Sequence, residues 1–163
     1  MPTSSSDCRI RPATPDDAAT IVDFNRRLAR ESEDRELDPE TIAAGVQAIL
    51  ADPAKGRYFV AEGEGTIVGQ MMHTWEWSDW RNGEIWWLQS VYVAPEHRGQ
   101  GVFRQLFEHV RAEASGRPDV VGLRLYVEKE NQAARSTYLK LGMEETGYFV
   151  LERMFSPPGR EPG

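Results

Sequence analysis

The run Gln89-Ser90-Val91-Tyr92-Val93-Ala94-Pro95-Glu96-His97-Arg98-Gly99-Gln100-Gly101-Val102-Phe103 constrains this chain more than any other. It reads as a strand stopped by proline, a glycine-rich turn and the opening of a helix. Phe103, Leu106, Phe107 and Val110 give that helix, Gly101 to Ala114, one apolar face. Gly116-Arg117-Pro118 ends it, and an apolar strand from Val121 to Val127 follows. A strand, a helix and a strand in succession demand a parallel pair with a right-handed crossover. The turn between them presents backbone N–H groups at a helix N-terminus, which suits a phosphate.

The rest of the pattern surrounds this unit. Cys8 to Arg11 is a short strand. Thr14-Pro15-Asp16-Asp17 opens a helix reaching Arg30, with a cap, a proline at the first position and acids in the first turn. Asp38-Pro39-Glu40 opens a second helix, with Ile42, Val46, Ile49 and Leu50 on one face, and Asp52-Pro53 closes it. Three strands follow as a meander, around Arg57–Glu62, Thr66–Trp77 and Glu84–Val93, turning at Gly63-Glu64-Gly65 and Ser78–Gly83. After the crossover unit come a helix from Asn131 to Leu141, closed by Gly142, and a last strand from Gly147 to Phe155. The order β-α-α-β-β-β-α-β-α-β predicts a mixed α/β (α+β) fold. Its sheet is mostly antiparallel, with one parallel pair and helices on both faces. No repeat is present, so residues 8–155 are expected to form one domain, with flexible tails at 1–7 and 156–163.

Composition excludes several functions. The chain has 163 residues, 40% hydrophobic and 28% charged, ordinary for a globular protein. A single cysteine, Cys8, rules out an intrachain disulfide, and no Cys/His cluster has metal-binding spacing. No run approaches the ~20 apolar residues that span a bilayer. The N-terminus also lacks a basic region followed by an apolar one, so a cytoplasmic location without membrane attachment is expected. A net charge of −7 argues against nucleic acid as a partner. It is compatible with a cationic acceptor such as an amine, and equally with plain solubility.

The turn is not a Walker loop, because Gly-Lys-Ser/Thr is missing, and it lacks the third glycine of a dinucleotide fingerprint. It resembles motif A of the GNAT superfamily of acetyltransferases, Gln/Arg-x-x-Gly-x-Gly/Ala. Here that motif reads Arg98-Gly99-Gln100-Gly101-Val102-Phe103, with Phe103 where Gly or Ala is usual. A second stretch resembles the family's motif B: Leu123-Arg124-Leu125-Tyr126-Val127, then Asn131, Ala134, Tyr138 and Gly142-Met143. Two motifs in the right order, each on its expected element, identify the chain as resembling an N-acetyltransferase.

The resemblance implies acetyl-CoA as co-substrate, held in a gap where two strands splay. It implies that backbone groups of Val91 and Val93 meet the pantetheine arm at a bulge. The amides from Gly99 through Gln100, Gly101 and Val102 to Phe103 would cradle the pyrophosphate, with Arg98 and Arg104 adding charge. Asn131 would bond or shape the pantetheine channel. A backbone N–H in the bulge, that of Tyr92, would stabilise the oxyanion, and Tyr138 would protonate the departing sulfur. Members of the family often dimerise, so a homodimer is an expectation of the resemblance alone.

Two questions stay open in the sequence. Many relatives carry a glutamate on the strand before motif A, but here Trp86-Trp87-Leu88-Gln89-Ser90 has no acid. Gln89 can position a water but takes no proton at neutral pH. Glu76, Glu84, Glu128 and ordered water remain as routes for deprotonating the amine. The acceptor is equally open. All five tryptophans lie between Trp75 and Trp87. They either cover the sheet or, as Trp75 and Trp77 with Glu76, Gln89 and the acidic segment around Glu33, line a pocket for a cationic amine. A small-molecule amine, a protein or peptide amine, and a non-catalytic acyl-CoA-binding module are the three readings carried forward.

Overall fold

The computed structural model describes residues 7–155. The chain divides into two compact units, one running to Leu125 and one from Tyr126 onward. Of the tails expected at 1–7 and 156–163, all but Asp7 lie outside the described residues.

The first unit carries a sheet ordered β1-β2-β3-β4-β5. Its strands are β1 (Arg9–Pro12), β2 (Arg57–Gly63), β3 (Thr66–Ser78), β4 (Gly83–Val93) and β5 (Val120–Arg124). The first four pair antiparallel and β4 pairs parallel with β5, as the crossover demanded. Three helices belong to this unit: α1 (Ala18–Glu33), α2 (Pro39–Ala51) and α3 (Val102–Ser115). The Thr14 cap and Pro15 form a single 3-10 turn ahead of α1. There Arg11 bridges Asp17 (2.8 Å) and Glu62 (2.9 Å), and the guanidinium holds the Asp17 carboxyl below the ordinary aspartate range.

Strand alternation sorts the side chains between two layers. On one face Tyr58 and Val60 pack against Ile21 of α1 and Val46 of α2. On the other, α3 lays down Val102, Leu106, Phe107 and Val110, all nearly inaccessible to solvent. Gly69 of β3 permits this contact: a Cβ there would meet Val102 Cγ1 at 3.0 Å and Leu106 Cδ1 at 3.2 Å. Val102 thus packs the helix start onto the sheet. Phe103 stays half-buried and points along α3, with its ring 6.2 Å from that of Phe107. The bulky residue in the motif therefore leaves the helix–sheet contact intact.

The second unit contains α4 (Gln132–Lys140), capped by the Asn131 side chain, which accepts from the Ala134 N–H at 3.1 Å. Arg135 pairs with Glu145. Residues 147–155, expected as a strand, form no ladder within that unit. Apolar, β-prone residues give a segment propensity for a strand, but a strand exists only where a neighbour completes its hydrogen bonds.

Among the described residues, no helix is long and apolar enough to cross a membrane. Among those same residues, no group of three or more His, Cys, Asp or Glu side chains could hold a metal ion.

Candidate active site

The site is built from an interrupted strand pair and the turn that follows it. β5 accompanies β4 only from Glu84 to Trp87, ending at Arg124. β4 continues to Val93, so the edge from Leu88 onward faces away from β3 without a β5 partner. Ala94 donates its N–H to Val68 O across the β3 side at 2.9 Å. Alternation then turns the Tyr92 N–H toward β3 as well, and sends the backbone groups of Val91 and Val93 to the open edge. The Val93 carbonyl is met there by the Arg98 side chain, Nε to O 2.9 Å. The Tyr92 N–H, expected at the reacting carbonyl, points toward β3 instead, and the outward backbone groups are those of Val91 and Val93.

A bulge lies directly upstream. Gln70 pairs with Tyr92 while Met72 pairs with Gln89. Two residues of β4, Ser90 and Val91, thus stand opposite Met71 alone. Ser90 adopts φ 49°, the left-handed region that most side chains avoid. Its carbonyl accepts a hydrogen bond from Gln70 Nε2 at 3.0 Å.

Beyond the bulge, Pro95–His97 makes one 3-10 turn, and Gly99 and Gly101 sit at φ 75° and 84°. A Cβ on Gly99 would meet nothing within 4 Å, so glycine is required here for its backbone angle and the turn is open. Gly101 is the N-cap of α3 and offers no side-chain cap. The first-turn N–H groups, which include those of Val102, Phe103 and Arg104, lack acceptors within the helix and carry its positive dipole end. Arg104 is exposed on that turn. Gln100 directs its side-chain amide to Glu96 O at 3.3 Å. This loop of open glycines and outward amides fits a diphosphate.

Arg98 has a second duty that the sequence did not reveal. Its NH2 lies 2.7 Å from Glu31 Oε2 at the end of α1, and the Tyr92 hydroxyl donates to Glu31 Oε1 at 3.0 Å. The Arg98 guanidinium also sits 5.3 Å from the Tyr92 ring centroid. Glu31 therefore ties α1 to both β4 and the glycine turn. Burial, then the Glu31 carboxylate, pushes the Tyr92 hydroxyl above its ordinary range.

The residues expected at the acceptor pocket divide between the two faces of the sheet. Gln89 and Glu76 share the α1–α2 face with Thr74 and Trp87. There Gln89 Nε2 donates to Thr74 Oγ1 at 2.7 Å, and Glu76 pairs with Arg124 at 2.7 Å. Arg124 lies 5.9 Å from the Trp87 ring centroid. Trp75 and Trp77 point to the α3 face. Trp75 packs edge-on to His73 and donates to Ala54 O, while Trp77 is exposed. Trp86 is core and Trp80 is exposed. Glu33 stands exposed at the end of α1. Thr74 and Arg124 were missed because their roles depend on cross-strand neighbours, which spacing along the chain does not show.

Of the carboxylates considered as bases, Glu76 is engaged by Arg124, and Glu128 accepts from the Glu130 N–H at 2.8 Å. Glu84 lies at the start of β4, far along the strand from the bulge. On the second unit, burial pushes the Tyr138 hydroxyl up to about 12, so it is fully protonated at neutral pH.

Comparison with known proteins agrees with this arrangement. The model of the acetyltransferase (GNAT) family matches residues 19–143. A thialysine N-epsilon-acetyltransferase from Bos taurus is 30% identical over 148 residues, covering 83% of this chain and 84% of that one. The crystal structure of a possible acetyltransferase from Clostridium difficile 630 superposes with a TM-score of 0.87 at 45% identity, covering 92% of this chain and 99% of that chain. A crystal structure of a "predicted acetyltransferase with acetyl-CoA" from Clostridium acetobutylicum shares the fold, with a TM-score of 0.75 at 19% identity over 90% of this chain and 96% of that chain. The family uses acetyl-CoA as its co-substrate. With a family match across most of its length and the open β4 edge leading into the glycine turn, the chain belongs to the GNAT acetyltransferase family and is an N-acetyltransferase.

Proposed function

We propose that this protein transfers an acetyl group from acetyl-CoA to the primary amine of a small molecule, by direct attack within a ternary complex in the cytoplasm. The observation that carries the reading is the β4 edge from Leu88 to Val93, left by β5 and running into a glycine turn at an uncapped helix N-terminus. One strand thereby offers backbone partners for an extended amide-bearing arm, and the turn after it offers amides for a diphosphate. Residues 8–155 act in this reading as one catalytic domain.

Acetyl-CoA supplies the acetyl group as a thioester. The outward amides of Val91 and Val93 are the donors suited to a developing oxyanion, in place of Tyr92. Amides from Gly99 to Phe103, with Arg104, bind the diphosphate, and Arg98 shapes that turn through Val93 and Glu31. Asn131 caps α4 and so sets the start of the helix that carries Tyr138. The Tyr138 hydroxyl gives up its proton to the leaving sulfur, a role supported by its motif position and its protonated state. With Glu76 paired to Arg124, proton removal from the amine passes through ordered water positioned by Gln89 and Thr74.

The small-molecule acceptor is supported by the relative known as a thialysine N-epsilon-acetyltransferase. On this chain Gln89, Thr74, Glu76, Arg124 and Trp87 form the polar shelf suited to such an acceptor. The test is coenzyme A release across a panel of thialysine, lysine, diamines and peptides, beside thermal shift with acetyl-CoA. At a hundredfold excess over Kd, acetyl-CoA stabilises by about 2.7 kcal/mol, worth about 5–10 °C for a chain of this size. Turnover of peptides alone would move the assignment to a protein acetyltransferase. Absence of any thermal shift would refute acetyl-CoA binding.

A further inference from the structure

Gln70 is a residue that simple patterning would not place where it is. It is 0% exposed, between the α1–α2 layer and β4. Glutamine is rarely buried completely, because its amide loses four hydrogen-bonding opportunities in water. Here Nε2 donates to Ser90 O, and Oε1 has no partner among the described residues. The acceptor is a carbonyl, so the amide orientation follows: the nitrogen must face Ser90. An unsatisfied buried oxygen carries an uncompensated desolvation cost. A leucine would avoid that cost, so stability alone does not account for glutamine here.

What the bond holds is the bulge. Ser90 is a non-glycine residue at φ 49°, a conformation that persists only when its surroundings enforce it. A second arm reaches the same residue. The Tyr58 hydroxyl, 6% exposed, interacts with the Ser90 side chain. Asn25 of α1 fixes that hydroxyl, with Nδ2 donating to Tyr58 Oη at 3.1 Å and to Ile21 O at 3.0 Å. Elements α1, β2 and β3 thus converge on one strained residue of β4. The backbone directly after it carries the outward amides of Val91 and Val93.

We propose that Gln70 is a positioning residue for acetyl transfer, holding the Ser90 bulge, with Tyr58 and Asn25, so that the β4 edge amides aim at the reacting carbonyl. The inference rests on the acetyl-transfer reading above. Gln70 itself touches no substrate and acts through Ser90.

The experiment compares Gln70→Leu and Gln70→Glu with the native chain by steady-state kinetics and amide hydrogen exchange. In Gln70→Leu, kcat falls tenfold or more while KM for acetyl-CoA changes less than threefold, because the turn at Gly99–Gly101 is untouched. Exchange of the Tyr92 amide, which faces β3, accelerates at least tenfold, while exchange at 59–61 in β2 stays as in the native chain. Gln70→Glu donates to Ser90 O only when its carboxyl is protonated, and burial favours that form. Its turnover relative to the native chain therefore rises as pH is lowered from 8 to 6. A leucine variant that keeps native kcat and native exchange at the Tyr92 amide overturns the proposal. If the leucine variant does not fold, the pH ratio and exchange of the glutamate variant decide, and a flat ratio overturns it. A native chain that neither binds acetyl-CoA nor turns over amine defeats the acetyl-transfer reading instead, and the exchange data still report whether Gln70 holds the bulge.

Discussion

His73 makes this protein's stability depend on pH in a way that can be worked out from its surroundings. The ring lies on the α3 face of β3 at 0% exposure. It stacks on Trp86 with centroids 3.8 Å apart and planes 7° from parallel, and it faces Phe59 at 6.1 Å. Neither ring nitrogen makes a hydrogen bond of ordinary geometry among the described residues. Arg57 caps the Phe59 ring at 5.0 Å and Arg117 the Trp86 ring at 5.5 Å. Burial, reinforced by these two cations, lowers His73 from 6.5 to about 4. Between those values the unfolded chain holds a proton that the folded chain does not, so stability rises with pH there. The contribution is complete above pH 6.5 and is lost as pH falls toward 4. Linkage gives a loss of about 2 kcal/mol between pH 7.5 and pH 5.0 from this group alone. Asp17, held low by Arg11, releases its own contribution only below that window. Urea unfolding at the two pH values, compared with His73→Phe, measures the effect. The phenylalanine keeps the ring stack and removes the titration. With a slope of roughly 2 kcal/mol per M, the native midpoint drops by about 1 M more than that of the variant. A difference below about 0.2 M between the two shifts would refute the assignment of a neutral, desolvated imidazole.

Three further outcomes follow from the site. Tyr138→Phe lowers kcat roughly 10²–10⁴-fold, the usual range for a lost general acid, with KM for acetyl-CoA nearly unchanged; steady-state coenzyme A release measures both. Arg98→Ala loses the bonds to Val93 O and Glu31. KM for acetyl-CoA then rises about tenfold, as expected for a charge-assisted contact, while the melting temperature moves little because the Glu31 pair is half-exposed. Gly69→Ala forces a methyl against Val102, Leu106 and the Tyr92 carbonyl. The cost is about 1–3 kcal/mol, read as a melting temperature lower by several degrees, and an unchanged melting curve would show that α3 does not rest on β3 as described.

The crossover unit, the meander, the glycine turn and the extent of α2 and α3 follow from residues near one another along the chain, whereas α1 runs to Glu33, past the expected end at Arg30. Pro95, Gly99 and Gly101 impose local backbone angles, and the apolar periodicity of α3 needs only its own residues. The part expected of Val91 and Val93 came from the resemblance to the family, not from the pattern of this strand alone. Tertiary structure decided what depends on partners. The segment 147–155 has strand propensity, yet forms no ladder within its own unit. Trp75, Trp77, Glu76 and Gln89 are close in sequence or register, yet the pleat sends the two tryptophans to the α3 face and the polar pair to the other. Glu31 gained its role only when α1 brought it to Tyr92 and Arg98, 61 and 67 residues away. Gln70 reads as one more polar residue in a strand until folding places it, wholly buried, behind Ser90. Long-range side-chain hydrogen bonds and burial leave no period in a sequence, so the shape of the site had to come from the fold.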